Sequence, residues 1–156
     1  MPNTVPSSNG YPASSDQAEI GIKSYKVPGT DLKLRAAESI APLLIGFASE
    51  FHAIIEPIDT GTLDDWGYAF RDVRGVPGTL SNHSSGTAID LNSKIHPLGK
   101  VNTFSAAKVP MLRGLVRKYG LRWGGDYSGR KDEMHFEVNI NAVKAAALIK
   151  KLGLEL

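Results

Sequence analysis

Two short stretches of this chain carry residues that can hold a metal and move a proton. Ser81-Asn82-His83-Ser84-Ser85-Gly86-Thr87-Ala88-Ile89-Asp90-Leu91-Asn92 sets an imidazole and a carboxylate seven residues apart, with a glycine between them. Asp132-Glu133-Met134-His135-Phe136-Glu137-Val138 adds a second imidazole with a carboxylate three residues before it. His83, Asp90 and His135 form a three-membered N/O donor set that suits one catalytic zinc ion with an open position for water. Asp132 is then a spare carboxylate able to take a proton from that water. Glu133 is its rival. Asp132, just ahead of the strand, is preferred.

The local patterns say what must position these groups. Ser81–Gly86 is polar and reads as a loop, and Thr87–Asn92 reads as a short strand. Gly86 allows a close turn between them. Met134–Val138 alternates, with Met134, Phe136 and Val138 on one face and His135 with Glu137 on the other. Leu43, Leu44, Phe47, Ala48 and Phe51 recur at helical spacing and predict a first helix over 37–52, and Pro42, tolerated only in a first turn, argues that it begins close to Ser39. Val109, Leu112, Leu115, Val116 and Tyr119 predict a second helix, and Asn141–Leu152 a third that packs on the sheet and ends at Gly153. Strands are expected at Leu32–Leu34, Ile54–Ile58 and Leu121–Trp123, and turns at Val27–Thr30 and Val76–Thr79. Helices and strands mix without regular βαβ alternation. The fold class is therefore α+β, a small and mainly antiparallel sheet with helices packed on it.

Composition narrows the chemistry. The chain has 156 residues, 42% hydrophobic and 22% charged, which suits one globular domain. It has no cysteine, so any metal rests on imidazole and carboxylate. A net charge of +2 and a pI near 8.8 are only mildly basic, and no run of Lys or Arg marks a nucleic-acid patch. No apolar run reaches the length of a membrane span, and the first residues lack a secretory signal pattern. Residues 1–26, rich in Pro, Ser and Asn at their start, read as a tail or surface-laid segment ahead of a single domain over 27–156. His52 reads as a solvated residue, His96 is restricted by Pro97, and Asp64 and Asp65 read as loop and capping residues.

In order along the chain, S-x-H-x-x-G-x-A-x-D (81–90) and D-x-x-H (132–135) resemble the signature of the M15 zinc peptidases. Gly67–Gly75, with Tyr68, Arg71 and Arg74, and Leu121–Tyr127, with Trp123-Gly124-Gly125, extend the resemblance to roughly 27–138. It implies a hedgehog/D,D-peptidase type of fold, one Zn2+ held by His83, Asp90 and His135, and Asp132 as general base. It implies that Arg71 stabilises the developing oxyanion, with Arg74 as the alternative. Ser81 would support the metal site through its hydroxyl, Tyr68 and Arg74 would contact substrate, and Trp123 would either wall the cleft or fill the core. Gly124-Gly125 would free the following loop and admit a substrate backbone. The implied activity is hydrolysis of the peptide stem of bacterial peptidoglycan by a monomer that neither binds nucleic acid nor inserts in a membrane. An L-alanyl-D-glutamate endopeptidase acting as a phage endolysin is the expectation, held in the host cytoplasm until release to the wall. A D-alanyl-D-alanine carboxypeptidase is the alternative, and a non-catalytic zinc-bearing wall-binding module the third.

Overall fold

The computed structural model describes residues 4–154 and 156 and opens on a short antiparallel pair, β1 (Val5–Pro6) with β2 (Pro12–Ala13). Its organising element is α1 (Ala41–Ile54), whose Leu43, Leu44, Ile45, Phe47, Ala48 and Phe51 are all buried. A helix apolar on nearly every side must be covered on nearly every side. The hairpin of β3 (Ile22–Lys26) and β4 (Lys33–Ala37), α2 (Lys108–Lys118) and α3 (Ala142–Leu152) all lie against it. So does a three-stranded antiparallel sheet, in the order β7 (Ala88–Asp90), β9 (His135–Val138), β8 (Leu121–Trp123). The result is the expected α+β arrangement of helices with small antiparallel sheets. The Phe47 ring sits 4.6 Å from that of Phe136 on the central strand β9 and meets Tyr119 edge-on at 6.2 Å.

Alternation along β9 does the rest. Phe136 and Val138 join the core cluster, so His135 and Glu137 project from the other face of the sheet. Asp90 pairs directly opposite His135 in the antiparallel register. Directly opposed residues share a face, so the register alone brings this carboxylate beside this imidazole.

Several expectations shift. The first helix starts at Ala41, two residues after the start that Pro42 argues for, with Pro42 in its first turn. Ile54–Ile58 is not a strand: Ile54 ends α1 and Ile55 closes it by donating to the Phe51 carbonyl. Val76–Leu80 is β6 rather than a turn, paired with β5 (Asp72–Val73) around Gly75. The hairpin lies outside the core, so its Val76-Pro77-Gly78 carries no apolar alternation to announce it. α3 packs beside α1, with Ala145 its buried residue.

Gly86 closes the 3-10 turn Asn82–Ser85 with a φ of 68°. A Cβ there would lie 2.3 Å from the Ile22 side chain and 2.7 Å from the Ala37 backbone nitrogen. Gly86→Ala should therefore cost roughly 2–6 kcal/mol, left-handed strain of order 1–3 adding to an overpacking cost of similar size. The urea midpoint of the variant checks this.

Candidate active site

His83 enters on the Asn82–Ser85 turn. The Ser81 hydroxyl caps it by accepting the His83 backbone N–H at 3.2 Å. Residues near the start of the chain hold the same turn. Asn9 donates its backbone N–H to Asn82 Oδ1 and its side-chain amide to Thr87 Oγ1 and the Val138 carbonyl. This fastens the turn to the end of β9.

The two imidazoles are orientated by acceptors on their outer nitrogens. His83 Nδ1 lies 2.8 Å from the Gly67 carbonyl, which can only accept, so this nitrogen carries the proton. His135 Nε2 lies 2.8 Å from Glu137 Oε1 and donates likewise. That leaves the lone pairs of His83 Nε2 and His135 Nδ1 both aimed at Asp90 Oδ1, at 3.2 and 3.1 Å. Three acceptor atoms on buried residues, all within 4.8 Å of one another, face a common point. Such a cluster is repulsive unless a cation joins it, and imidazole–carboxylate donors with acceptors behind the histidines suit a divalent metal. The residues present fit one zinc ion.

Without a metal the cluster satisfies itself by protonation. Burial opposes a charged His135, but Asp90 and Glu137 outweigh it and push the imidazole up to about 10. Burial also works against the Asp90 carboxylate, yet the two histidines hold it well below the usual range.

The cluster opens into a cavity of about 590 Å³. Asp132 lines it, its Oδ1 buried with no hydrogen-bond partner. Burial, helped by Asp90, raises the Asp132 carboxyl, while His135, His83 and Arg71 pull the other way. Gly124 sets this residue in place. Asp132 N donates to the Gly124 carbonyl at 3.0 Å, and a Cβ on Gly124 would strike the Asp132 carbonyl at 2.2 Å. The close approach expected at Gly124-Gly125 is thus made by the chain's own backbone at Gly124. Glu133 is consumed elsewhere, accepting the backbone N–H groups of Asn102 and Thr103 and the Thr103 hydroxyl.

Arg71, Arg74 and Ser81 also line the cavity, joined by Arg122 and Arg130. Burial and then Arg74 draw the Arg71 guanidinium down, while Asp90 and Asp132 support its charge. Arg130 donates to the Arg74 carbonyl across the cleft at 2.9 Å. Tyr68 and Trp123 are not in the wall. Tyr68 is buried beneath Arg35 with its hydroxyl on the Ser14 carbonyl at 2.7 Å. Trp123 lies in the core against Phe104, its indole N–H on the Glu133 carbonyl at 2.8 Å. An aromatic residue reads alike from sequence whether it walls a cleft or fills a core. His52 accepts the Ile58 N–H, and His96, fully buried, stacks on Phe104 at 3.8 Å and bonds Glu56 and Thr103.

Glu137, Tyr127 and Gly67 are the additions. Tyr127 donates its hydroxyl to the same Glu137 oxygen that accepts from His135, so the imidazole is orientated by a carboxylate that is itself held. The signal for Glu137 was present, since strand alternation sets it on the His135 face.

Residues 74–138, about two fifths of the chain, match the family model described as D-alanyl-D-alanine carboxypeptidase, of the M15 peptidases. Neither the comparison with curated proteins nor that with solved structures finds a match. The family match and the His-Asp-His cluster together bear out the resemblance to the M15 zinc peptidases, over a segment that holds all three candidate ligands and Asp132.

Proposed function

We propose that the chain is a zinc-dependent peptidase that cuts the peptide stem of bacterial peptidoglycan, an L-alanyl-D-glutamate type endopeptidase acting as a phage endolysin. The observation that carries the peptidase reading is the convergence of His83 Nε2, Asp90 Oδ1 and His135 Nδ1 on one buried point beside the unpartnered Asp132 carboxylate. His83, Asp90 and His135 hold the zinc, which when bound supplies Lewis-acid polarisation of a carbonyl and acidifies water. Asp132 accepts the proton of the attacking water and returns it to the leaving amine. Arg71, whose charge Asp90 and Asp132 support, stabilises the oxyanion. Arg74 and Ser81 border the substrate. The guanidinium-rich wall suits a peptide that carries carboxylates. The protein works as a monomer, binds no nucleic acid, and stays in the host cytoplasm until it is released to the wall. Among the described residues no helix is long and apolar enough to cross a membrane.

A D-alanyl-D-alanine carboxypeptidase using the same site is the second reading, favoured by the description of the matching family. Digestion of purified peptidoglycan with and without a chelator, followed by mass spectrometry, separates the two. A new N-terminus on D-glutamate supports the endopeptidase, and released D-alanine supports the carboxypeptidase. No cleavage by zinc-loaded protein sinks both.

Glu137→Gln should weaken zinc binding by roughly 10–100-fold, because the outer nitrogen of His135 loses its charged acceptor. Competition with a chromogenic chelator measures the loss, and turnover at saturating zinc should largely recover.

A further inference from the structure

Four buried side-chain oxygens have no hydrogen-bond partner among the described residues: Asp64 Oδ1, Asp65 Oδ2, Asn92 Oδ1 and Asp132 Oδ1. The last faces the site already described. The other three belong to residues that touch one another on the far side of the Trp66–Asp90 bridge. Asn92 N donates to Asp65 Oδ1 at 2.8 Å, and Ser93 N donates to the Asp64 carbonyl at 2.9 Å. These are not surface carboxylates: Asp64, Asp65 and Asn92 are 2%, 5% and 0% exposed.

A buried anion needs a partner, and an unpaired one costs far more than its neighbours return. No Lys, Arg or His makes an ion pair with Asp64 or Asp65 among the described residues. The Asp65 carboxyl responds by rising to about 7, first through burial and then through Asp64 and Asp59. The free Asn92 oxygen shows which kind of partner fits. The Asn92 amide nitrogen is pinned by Glu56 Oε2 at 2.6 Å and the Pro57 carbonyl at 2.9 Å. The amide cannot flip, so its oxygen stays a bare acceptor on a residue whose own N–H is bonded to Asp65. A proton shared between the aspartates would leave that oxygen unserved. A hard divalent cation serves all three, since its ligands are carboxylate and amide oxygens completed by carbonyls and water.

We propose that Asp64, Asp65 and Asn92 form a second, all-oxygen cation site for calcium, distinct from the His83–Asp90–His135 cluster. Its two halves come from the two segments that pair at Trp66 and Asp90, just beyond that bridge. Filling it ties the segment that presents Gly67 and Arg71 to the strand that presents Asp90.

Terbium tests this, because Trp66 adjoins Asp65 and its indole can sensitise emission from a lanthanide bound there. Zinc-loaded and zinc-free protein are each titrated with Tb3+ under indole excitation, then with CaCl2. We expect one saturable equivalent, displaced by calcium and indifferent to zinc, and a thermal midpoint that rises by several degrees with calcium. Asp64→Asn and Asp65→Asn should each weaken the binding at least tenfold. Emission that zinc abolishes, or that both variants retain in full, overturns the site. Should the variants fail to fold, the wild-type midpoint decides: no rise with calcium overturns it, leaving a proton-sharing aspartate pair. Because peptidoglycan cleavage is not the readout, failure here leaves the peptidase reading untouched, and the reverse holds too.

Discussion

Asp132→Asn should keep one zinc bound and lower kcat by roughly a hundred- to ten-thousand-fold, the range expected for loss of a general base. The substitution is nearly isosteric and leaves the Asp132 N–H on the Gly124 carbonyl, so the turn ahead of β9 survives. What disappears is an oxygen that can accept a proton and give it back. No neighbour replaces it: Glu133 is spent on Asn102 and Thr103, and Glu137 holds His135 and Tyr127. Glu133→Gln is the matched control. It should disturb the 100–103 loop and leave kcat close to wild type at saturating zinc. Metal content by atomic absorption and turnover on purified peptidoglycan check both halves. An Asp132→Asn enzyme with more than about a tenth of wild-type kcat would move the base elsewhere.

His83→Ala should fail differently, losing zinc and activity together, down to the level of chelator-treated protein. Asp90 then keeps one imidazole of two, and the Gly67 carbonyl loses the N–H that orientates the ring. The effect on stability is as diagnostic as the effect on rate. At free zinc a thousandfold above Kd the wild type gains about 4 kcal/mol from binding. The variant should show no zinc-dependent rise in its unfolding midpoint. A variant that loses activity but keeps that rise would mean that zinc sits elsewhere.

Much of this site was legible before folding was considered. His83, Asp90, Asp132 and His135 stand at spacings that suit a metal and a base, and without cysteine only nitrogen and oxygen donors remain. The α+β class followed from where the apolar periods change. The failures have a common cause. Tyr68 and Trp123 have types that suit a cleft and a core equally, and only their neighbours decide. Asp64 and Asp65 are loop residues as read, but their burial beside Asn92, almost thirty residues on, leaves no local signal. The end of α1 at Ile54 was hidden by an apolar run that continues through Ile55 toward Ile58.

The sequence by itself determined the donor chemistry, the faces of β9 and the need for a glycine at position 86. Those are local matters, governed by side-chain type, a period of two and one left-handed φ. Tertiary structure alone decided that Asp90 stands opposite His135, since register depends on which strands pair and a one-residue slip would turn the carboxylate to the other face. It also decided which nitrogen of each histidine is free, because Gly67 and Glu137 occupy the others. Neither is a property of the residue alone: each follows from long-range contacts that exist only once α1 has gathered the sheet and the hairpin around it.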